Sequence, residues 1–577
     1  MSKKLIAILI AALMILGAVT SCGKAAEDVV VLFTNDVHCG IEPTQKTDDA
    51  GVVTAYTGMG YAGVAAYEAY VKQTIPNVIL ADAGDAIQGD VIGTLSEGAY
   101  LIDIMNNVGY DVATLGNHEF DYGMNELFAL ADKATYDYVS CNFVDTNSGK
   151  SVYDAFKVFE FGGTKVAFVG VSTPESITKS TPTFFQDGNG NYIYGFSNKG
   201  ENITDASNAF ISAIQTSVDA ATKKADVVIV LGHLGVDESS SPWTSKELIA
   251  KISGADVFID GHSHSVLNES VKDKDGKDVL LLQTGTKLAN LGELTISKDG
   301  KLSAKMVSAK DIVDLGLTSN EAYTATTTFV DGIKTQYEAL VNTVVGKTNA
   351  PLVIKDPATG NRIVRSQETN LGDLCTDAYR TVMSDSIGKP VDVAFVNGGG
   401  IRAELDGDIT YGDIISVHPY GNVACVIEVT GQQLWEALEW GSRFVGEAEN
   451  GGFLQVSGLT YEIHTNVTPA IEFNAETSMF VKIGEGYTYS DASRVQNVVV
   501  GTTPLDLNAT YTLASHNYML KSAGDGYAMF AGCNILADEV MIDNQVLINY
   551  IVDDLAGTIG EPYANPYGEG RIKIVGE

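Results

Sequence analysis

The feature that most constrains this chain is a local pattern that recurs along its first half. A short run of Val, Ile, Leu and Ala is followed, usually after a glycine, by Asp, Asn or His. Residues 29–33 lead to Asp36 and His38 in DVH, and residues 78–81 lead through Gly84 to Asp85. Residues 112–115 lead through Gly116 to Asn117 and His118 in GNHEFD, which ends on Asp121. Residues 227–231 lead through Gly232 to His233, and residues 257–259 lead through Gly261 to His262 and His264 in GHSH. Further apolar runs lie at 166–169 and 279–283, and helical stretches such as 63–73 and 206–223 separate several of the runs. Short β-branched runs alternating with helices predict a layered α/β domain, with cleaner alternation toward 292–307 predicting antiparallel strands there.

Five of the eight histidines fall in these segments, a distribution unlike that of scattered surface histidines. In α/β sheets ligands collect beyond the carboxyl ends of the strands, where all these residues are expected. The neighbouring glycines permit the sharp turns that expose side chains there. Nitrogen and oxygen donors gathered at several strand ends predict a site for two metal ions, and with it hydrolytic chemistry. Asp36-Val37-His38 reads as strand alternation, which would turn both donors to one face. Alternation would turn Cys39 away from that face.

The bulk composition sets a problem for such a site. The 577 residues carry a formal net charge of −36, with 45% hydrophobic and 19% charged residues. That balance supports ordinary cores but excludes a nucleic acid polymer as partner, because phosphate backbones require clustered Lys and Arg. An anionic small substrate would be repelled unless local cations overcome the bulk field. At the N-terminus, Lys3 and Lys4 precede an apolar stretch over 5–19 and then Thr20-Ser21-Cys22. This is a signal peptide pattern, too short for a good membrane span, and it resembles a bacterial lipobox in which Cys22 becomes the lipidated first residue. The other cysteines, Cys39, Cys141, Cys375, Cys425 and Cys533, form no disulfide framework and no paired Cys-x-x-Cys.

The expected organisation is a signal peptide over 1–21, a short tether over 22–28, and an α/β domain over 29–318. An interdomain helix over 319–345 and a second, α+β domain over 346–577 follow. The helix begins at Ser319 or Asn320, and Val330, Ile333, Tyr337, Leu340 and Val344 recur on one face of it. The second half mixes helices (370–383, 431–444) with short strands and Gly-rich turns.

The order and spacing of these motifs resemble the calcineurin-like metallophosphoesterases, and more closely the two-domain 5'-nucleotidase family, over nearly the whole chain after the signal peptide. The resemblance implies a metallophosphoesterase sandwich joined by a helix to a substrate domain. It implies one divalent ion held by Asp36, His38, Asp85 and His264; imidazole, carboxamide and carboxylate donors without thiolate suit Zn, Mn, Fe or Co. The second ion would be held by Asp85, Asn117, His233 and His262, with Asp85 bridging. Many relatives carry Gln where this chain has His264. The resemblance assigns His118 to catalysis rather than ligation, with Asp121 fixing its tautomer. In the second half, RSQETNLGDL and NGGGIR resemble the family's substrate motifs, which implies that Arg365 and Arg402 meet anionic groups and Asn397 the base or ribose. Tyr420 in HPYGN and Tyr518 in SHNYMLKSAGDGY match base-stacking positions, where Phe is usual, and Asp525 would accept from ribose hydroxyls. The activity implied is hydrolysis of nucleoside 5'-phosphates by a lipid-anchored enzyme at the cell envelope. Its enzymatic rivals are 2',3'-cyclic phosphodiesterase with 3'-nucleotidase action and nucleotide-sugar pyrophosphatase. A rival of another class is a nucleotide-binding surface lipoprotein without turnover.

Overall fold

The computed structural model describes residues 27–576, apart from 49–50, 181, 238–239, 470, 475–478, 485–488 and 491–492. The expected signal peptide and Cys22 lie outside the described residues.

The apolar runs of the first half become strands of two stacked six-stranded sheets. In one sheet the order is Leu302–Ser308, Asn290–Ile296, Val29–Thr34, Val78–Asp82, Val112–Ala113 and Asp137–Tyr138. In the other it is Val266–Lys272, Asp278–Thr284, Val257–Ile259, Val227–His233, Thr164–Ser172 and Phe156–Phe161. The first strand shows why its run is continuously apolar: Val29, Val31 and Phe33 face the core between the sheets, while Val30 and Leu32 face the outer helices. Strands covered on both faces cannot alternate with polar residues. Helix Gly60–Lys72 packs outside the first sheet and Ile203–Ala221 outside the second, making four layers.

The central strands are parallel, so their carboxyl ends share an edge. Phe33 pairs with Ala81, Ser172 with His233 and Leu231 with Ile259. The expected antiparallel pairing near 292–307 is present, with Leu294 opposite Ala304.

Two local expectations are corrected. The first strand ends at Thr34, so Asp36 and His38 do not alternate along it. They sit in the loop beyond it with φ of 49° and 41°, held there by hydrogen bonds from Asp36 N to Gly84 O and from His38 N to Asp85 O, both at 2.9 Å. Val344 does not belong to the linking helix, which runs Glu321–Val341 with Asn320 as its cap, accepting from Tyr323 N at 2.8 Å. Val344 instead opens strand Val344–Thr348, which pairs with Asp408–Thr410 and Thr558–Ile559. The helix buries Val330 and Ile333 in the first domain's core.

The second half is built on a mixed five-stranded sheet ordered Leu454–Ser457, Val393–Asn397, Thr510–His516, Ala424–Thr430 and Asn534–Ala537. Helix Asn370–Ile387 covers one face. Helix Gly431–Gly441 covers the other with fully buried Trp435 and Trp440. A second sheet of four strands flanks this core.

Candidate metal centre and adjoining cavity

All seven residues expected as metal donors come together beyond the strand ends, on the edge the two sheets share. The ligand atoms of Asp36, His38 and His264 lie within 4.8 Å of one another, as do those of Asp85, His233 and His262. The price of this convergence is backbone strain: Asp36, His38, Asp85, His262 and His264 all have positive φ, a region that L-residues rarely adopt outside functional sites. Two glycines make the approach possible. A Cβ on Gly84 would lie 2.4 Å from Gly116 N, and one on Gly116 would lie 2.2 Å from Asp85 Oδ1.

Hydrogen bonds fix which imidazole nitrogens face the centre. His38 Nδ1 donates to Gln88 O at 2.9 Å and His233 Nδ1 to Ala83 O at 2.7 Å, turning both Nε2 atoms inward. His262 donates in the opposite sense: Nε2 meets Glu175 Oε2 at 3.1 Å, leaving Nδ1 2.8 Å from Asn117 Oδ1. Lone-pair donors therefore point at common positions rather than at hydrogens. His38 Nε2 lies 3.0 Å from His264 Nε2. His233 Nε2 is buried and lies 3.0 Å from Asp85 Oδ2, yet it makes no hydrogen bond.

The electrostatics also ask for cations. Burial, only partly offset by His233, pushes Asp36 up to about 7. Burial pushes His38 down to about 3 despite Asp85. His233 would also be lowered by burial, but Asp85 and Asp36 raise it to about 10. Buried carboxylates and imidazoles crowded in this way are a fitting donor set for divalent ions, which relieve the repulsion between the carboxylates.

His118 adjoins the donors, with a ring nitrogen within 4.8 Å of ligand atoms of His38 and Asp85. Its Nδ1 donates to Asp121 Oδ2 at 2.6 Å within the turn His118–Phe120, and its backbone N–H donates to Asp85 Oδ1 at 2.8 Å. Burial would lower its pKa, but Asp121 and Asp85 outweigh burial and raise it to about 10.

Sequence reasoning missed three supports of this site. Glu119 accepts from the backbone N–H groups of Asp85, Ala86 and Gly116 at 2.8, 2.9 and 2.6 Å, binding two donor-bearing loops together. Asn35 donates to Asp36 Oδ2 at 2.6 Å and accepts from Thr284 N at 2.8 Å. Glu175 orients His262 as described. Glu119 and Asn35 are adjacent to recognised motif residues, which was the only signal for them; Glu175 had none. Cys39 is not a donor: its thiol is buried, donates to Ile87 O at 3.4 Å, and is pushed up to about 12 by burial.

The second domain meets the centre directly. A cleft of about 260 Å³ is lined by His38, Asp85, Asn117, His118, His262 and His264 from one side and by Gly421, Val423, Glu539 and Ile542 from the other. Lys179 bridges the domains to Asp538 at 3.2 Å. A separate cavity of about 440 Å³ is lined by Arg365, Asn397, Tyr420, Asn422, Tyr518 and Asp525. Of the six residues expected to bind substrate, only Arg402 is outside this lining. It is exposed, with its guanidinium over the Tyr420 ring at 5.8 Å, because a cation in water gains from an aromatic face without being desolvated. Tyr420 and Tyr518 are 59% and 40% exposed, unusually open for large aromatics, and so offer ring faces to a ligand. Burial, Arg362 and Arg402 together lower the Arg365 pKa, and its Nε is buried without a partner. These neighbouring arginines form a local cationic patch in an acidic protein.

A sandwich of two sheets with imidazole, carboxylate and carboxamide donors at its shared strand ends defines a two-metal phosphoesterase. Residues 29–266 match the family described as calcineurin-like phosphoesterase, and residues 344–532 match the 5'-nucleotidase C-terminal domain. The chain belongs to the 5'-nucleotidase family. It is similar to the 5'-nucleotidase of Homo sapiens, 28% identical over 594 residues that cover 97% of this chain and 93% of that protein. It is also similar to the trifunctional nucleotide phosphoesterase protein of Bacillus subtilis, 28% identical over 591 residues. That match covers 95% of this chain but only 35% of the longer Bacillus protein. The solved NAD nucleotidase of Haemophilus influenzae shares the fold, with a TM-score of 0.68 at 20% identity over 96% of this chain and all of that one. The protein is thus a metal-dependent phosphoric monoester hydrolase whose first domain binds two divalent ions.

Proposed function

We propose that this hydrolase removes phosphate from nucleoside 5'-monophosphates at the cell envelope, where a lipid on Cys22 anchors it. One ion would be held by Asp36, His38, Asp85 and His264, and the other by Asp85, Asn117, His233 and His262. Bound there, two divalent ions supply an activated water and neutralise charge on phosphoryl oxygens. The chain's own residues do the rest. Asp121 holds the His118 ring with Nδ1 occupied, so Nε2 is the atom that donates to the phosphoryl group in transfer. In the second domain, Tyr420 and Tyr518 would stack the base, Asn397 and Asp525 would bind base or ribose, and Arg365 and Arg402 would draw the anion in.

The observation that carries this reading is the segment of consecutive residues 420–423. Tyr420 and Asn422 line the aromatic cavity, while Gly421 and Val423 line the metal cleft. The proposed nucleoside site and the proposed phosphate-cleaving centre would thus lie on opposite sides of one loop. Glu539, paired with Lys521 at 2.9 Å, also lines the metal cleft, as do Lys179 and Lys287. Because the two sites face away from each other across that loop, productive binding would require the second domain to turn, with helix Glu321–Val341 as the place to hinge.

The substrate is tested by a panel of AMP, 3'-AMP, cyclic 2',3'-AMP and UDP-glucose with metal-reconstituted protein. AMP is expected to have the highest kcat/KM, and an inert AMP beside a cleaved cyclic nucleotide would overturn the reading. Among the described residues no helix is long and apolar enough to cross a membrane. Anchoring would therefore rest on Cys22, about six residues (a reach of at most ~20 Å) from the first strand. Cys22→Ser is expected to move the protein from the membrane fraction to the soluble fraction of its host. Retention in the membrane fraction would refute lipid anchoring.

A further inference from the structure

Behind the wall of the aromatic cavity lies His516, the last residue of strand Thr510–His516 and only 2% exposed. The neighbouring parallel strand, Val393–Asn397, ends on Asn397, which is 4% exposed. His516 Nε2 lies 3.1 Å from Asn397 Oδ1. On its other side, Asn397 Nδ2 donates to Asp525 Oδ2 at 2.7 Å, and the Tyr518 hydroxyl donates to Asp525 Oδ1 at 3.2 Å.

These contacts settle the proton positions. A carboxylate only accepts, so the amide nitrogen of Asn397 must face Asp525 and its carbonyl must face His516. The imidazole must then carry its proton on Nε2. Its Nδ1 is buried with no partner, which agrees with a bare lone pair there rather than a stranded N–H. Burial, reinforced by His418, keeps the ring neutral.

We infer that His516 is a positioning residue for nucleoside recognition, locking the Asn397 amide so that the cavity presents an N–H donor beside the Asp525 acceptor. One N–H of Asn397 is spent on Asp525 and the second remains for the ligand, while Asp525 retains lone pairs for hydroxyls. That pairing suits a ribonucleoside, with a hydrogen-bond acceptor on one part and hydroxyls on another. Without the donor at 516 the Asn397 carbonyl would be unsatisfied inside the wall. The amide would turn into the cavity to reach water, carrying its N–H away from Asp525. The inference rests on the nucleotide reading of this cavity.

The test is steady-state kinetics with AMP and with p-nitrophenyl phosphate, a phosphate monoester without a nucleoside, on metal-loaded full-length protein. His516→Phe keeps a ring but removes the donor, and it is expected to raise the ratio of KM for AMP to KM for p-nitrophenyl phosphate about tenfold. His516→Gln restores a donor and should return the ratio to within about threefold of wild type. In an Asn397→Ala background, His516→Phe should add nothing further. His516→Leu replaces the phenylalanine variant if circular dichroism shows that variant unfolded. A wild-type ratio in His516→Phe, with a raised ratio in Asn397→Ala, would sink the role of His516 alone. A ratio unmoved by Asn397→Ala would sink the nucleotide reading of the cavity, and this inference with it.

Discussion

His118→Ala is expected to lower kcat for phosphate release by roughly a thousandfold, within the range of general acid–base and donor contributions, while leaving both metal ions bound. His118 faces the cleft, but its Nδ1 is committed to Asp121 at 2.6 Å, so its loss removes a donor to the phosphoryl group without removing a metal ligand. Asp121→Asn should cost less, about tenfold to a hundredfold, because it weakens the orientation of the ring but keeps the ring. Phosphate release and metal content measured on the same preparations decide the matter. A His118→Ala protein that had lost metal would show His118 to be a ligand. One that kept activity within a few-fold of wild type would remove it from catalysis.

Asp85→Ala is expected to be the most damaging substitution for metal binding, because Asp85 lies in two of the three donor groupings at the centre, with His38 and His118 in one and with His233 and His262 in the other. Elemental analysis should find two ions per wild-type chain, about one in His264→Ala and close to none in Asp85→Ala, if each donor set works as proposed. The effect should also appear as stability. A ligand present at about a thousand times its dissociation constant stabilises the native state by about 4 kcal/mol. Chelation should accordingly lower the melting temperature of wild type by several degrees and leave Asp85→Ala unmoved. A chelator response that survived Asp85→Ala would show that the bridging assignment is wrong.

How legible the site was depended on how local its cause was. The strands were readable because burial on both faces forces each run to be apolar by itself, as Val29–Thr34 and Val227–His233 show. The donors were readable because each follows such a run within a few residues. Their backbone conformation was not. Strand alternation failed at Asp36 and His38 because a left-handed turn, rather than a pleat, aims them inward. The supporting residues were hidden for a similar reason. Glu175 gains its role only by meeting His262, 87 residues away, and His516 only by meeting Asn397, 119 residues away. Arg402 was placed with the ligand groups by its motif, yet its side chain lies in solvent over Tyr420. Nothing in the sequence distinguishes these two positions, since both keep the guanidinium charged.

The sequence by itself therefore determined the layered α/β class and the order of the candidate donors along the chain, while their division into two ligand sets came from the family resemblance. The class and the order follow from period, turn chemistry and residue type, which act over a few residues. Tertiary structure alone decided which imidazole nitrogen faces the centre and which carboxylates hold the loops. It also decided that one loop divides the metal cleft from the aromatic cavity. Those outcomes depend on hydrogen bonds and charge interactions that act over a few ångströms between segments tens to hundreds of residues apart. Only the packing of the two sheets and the two domains brings those segments within that range.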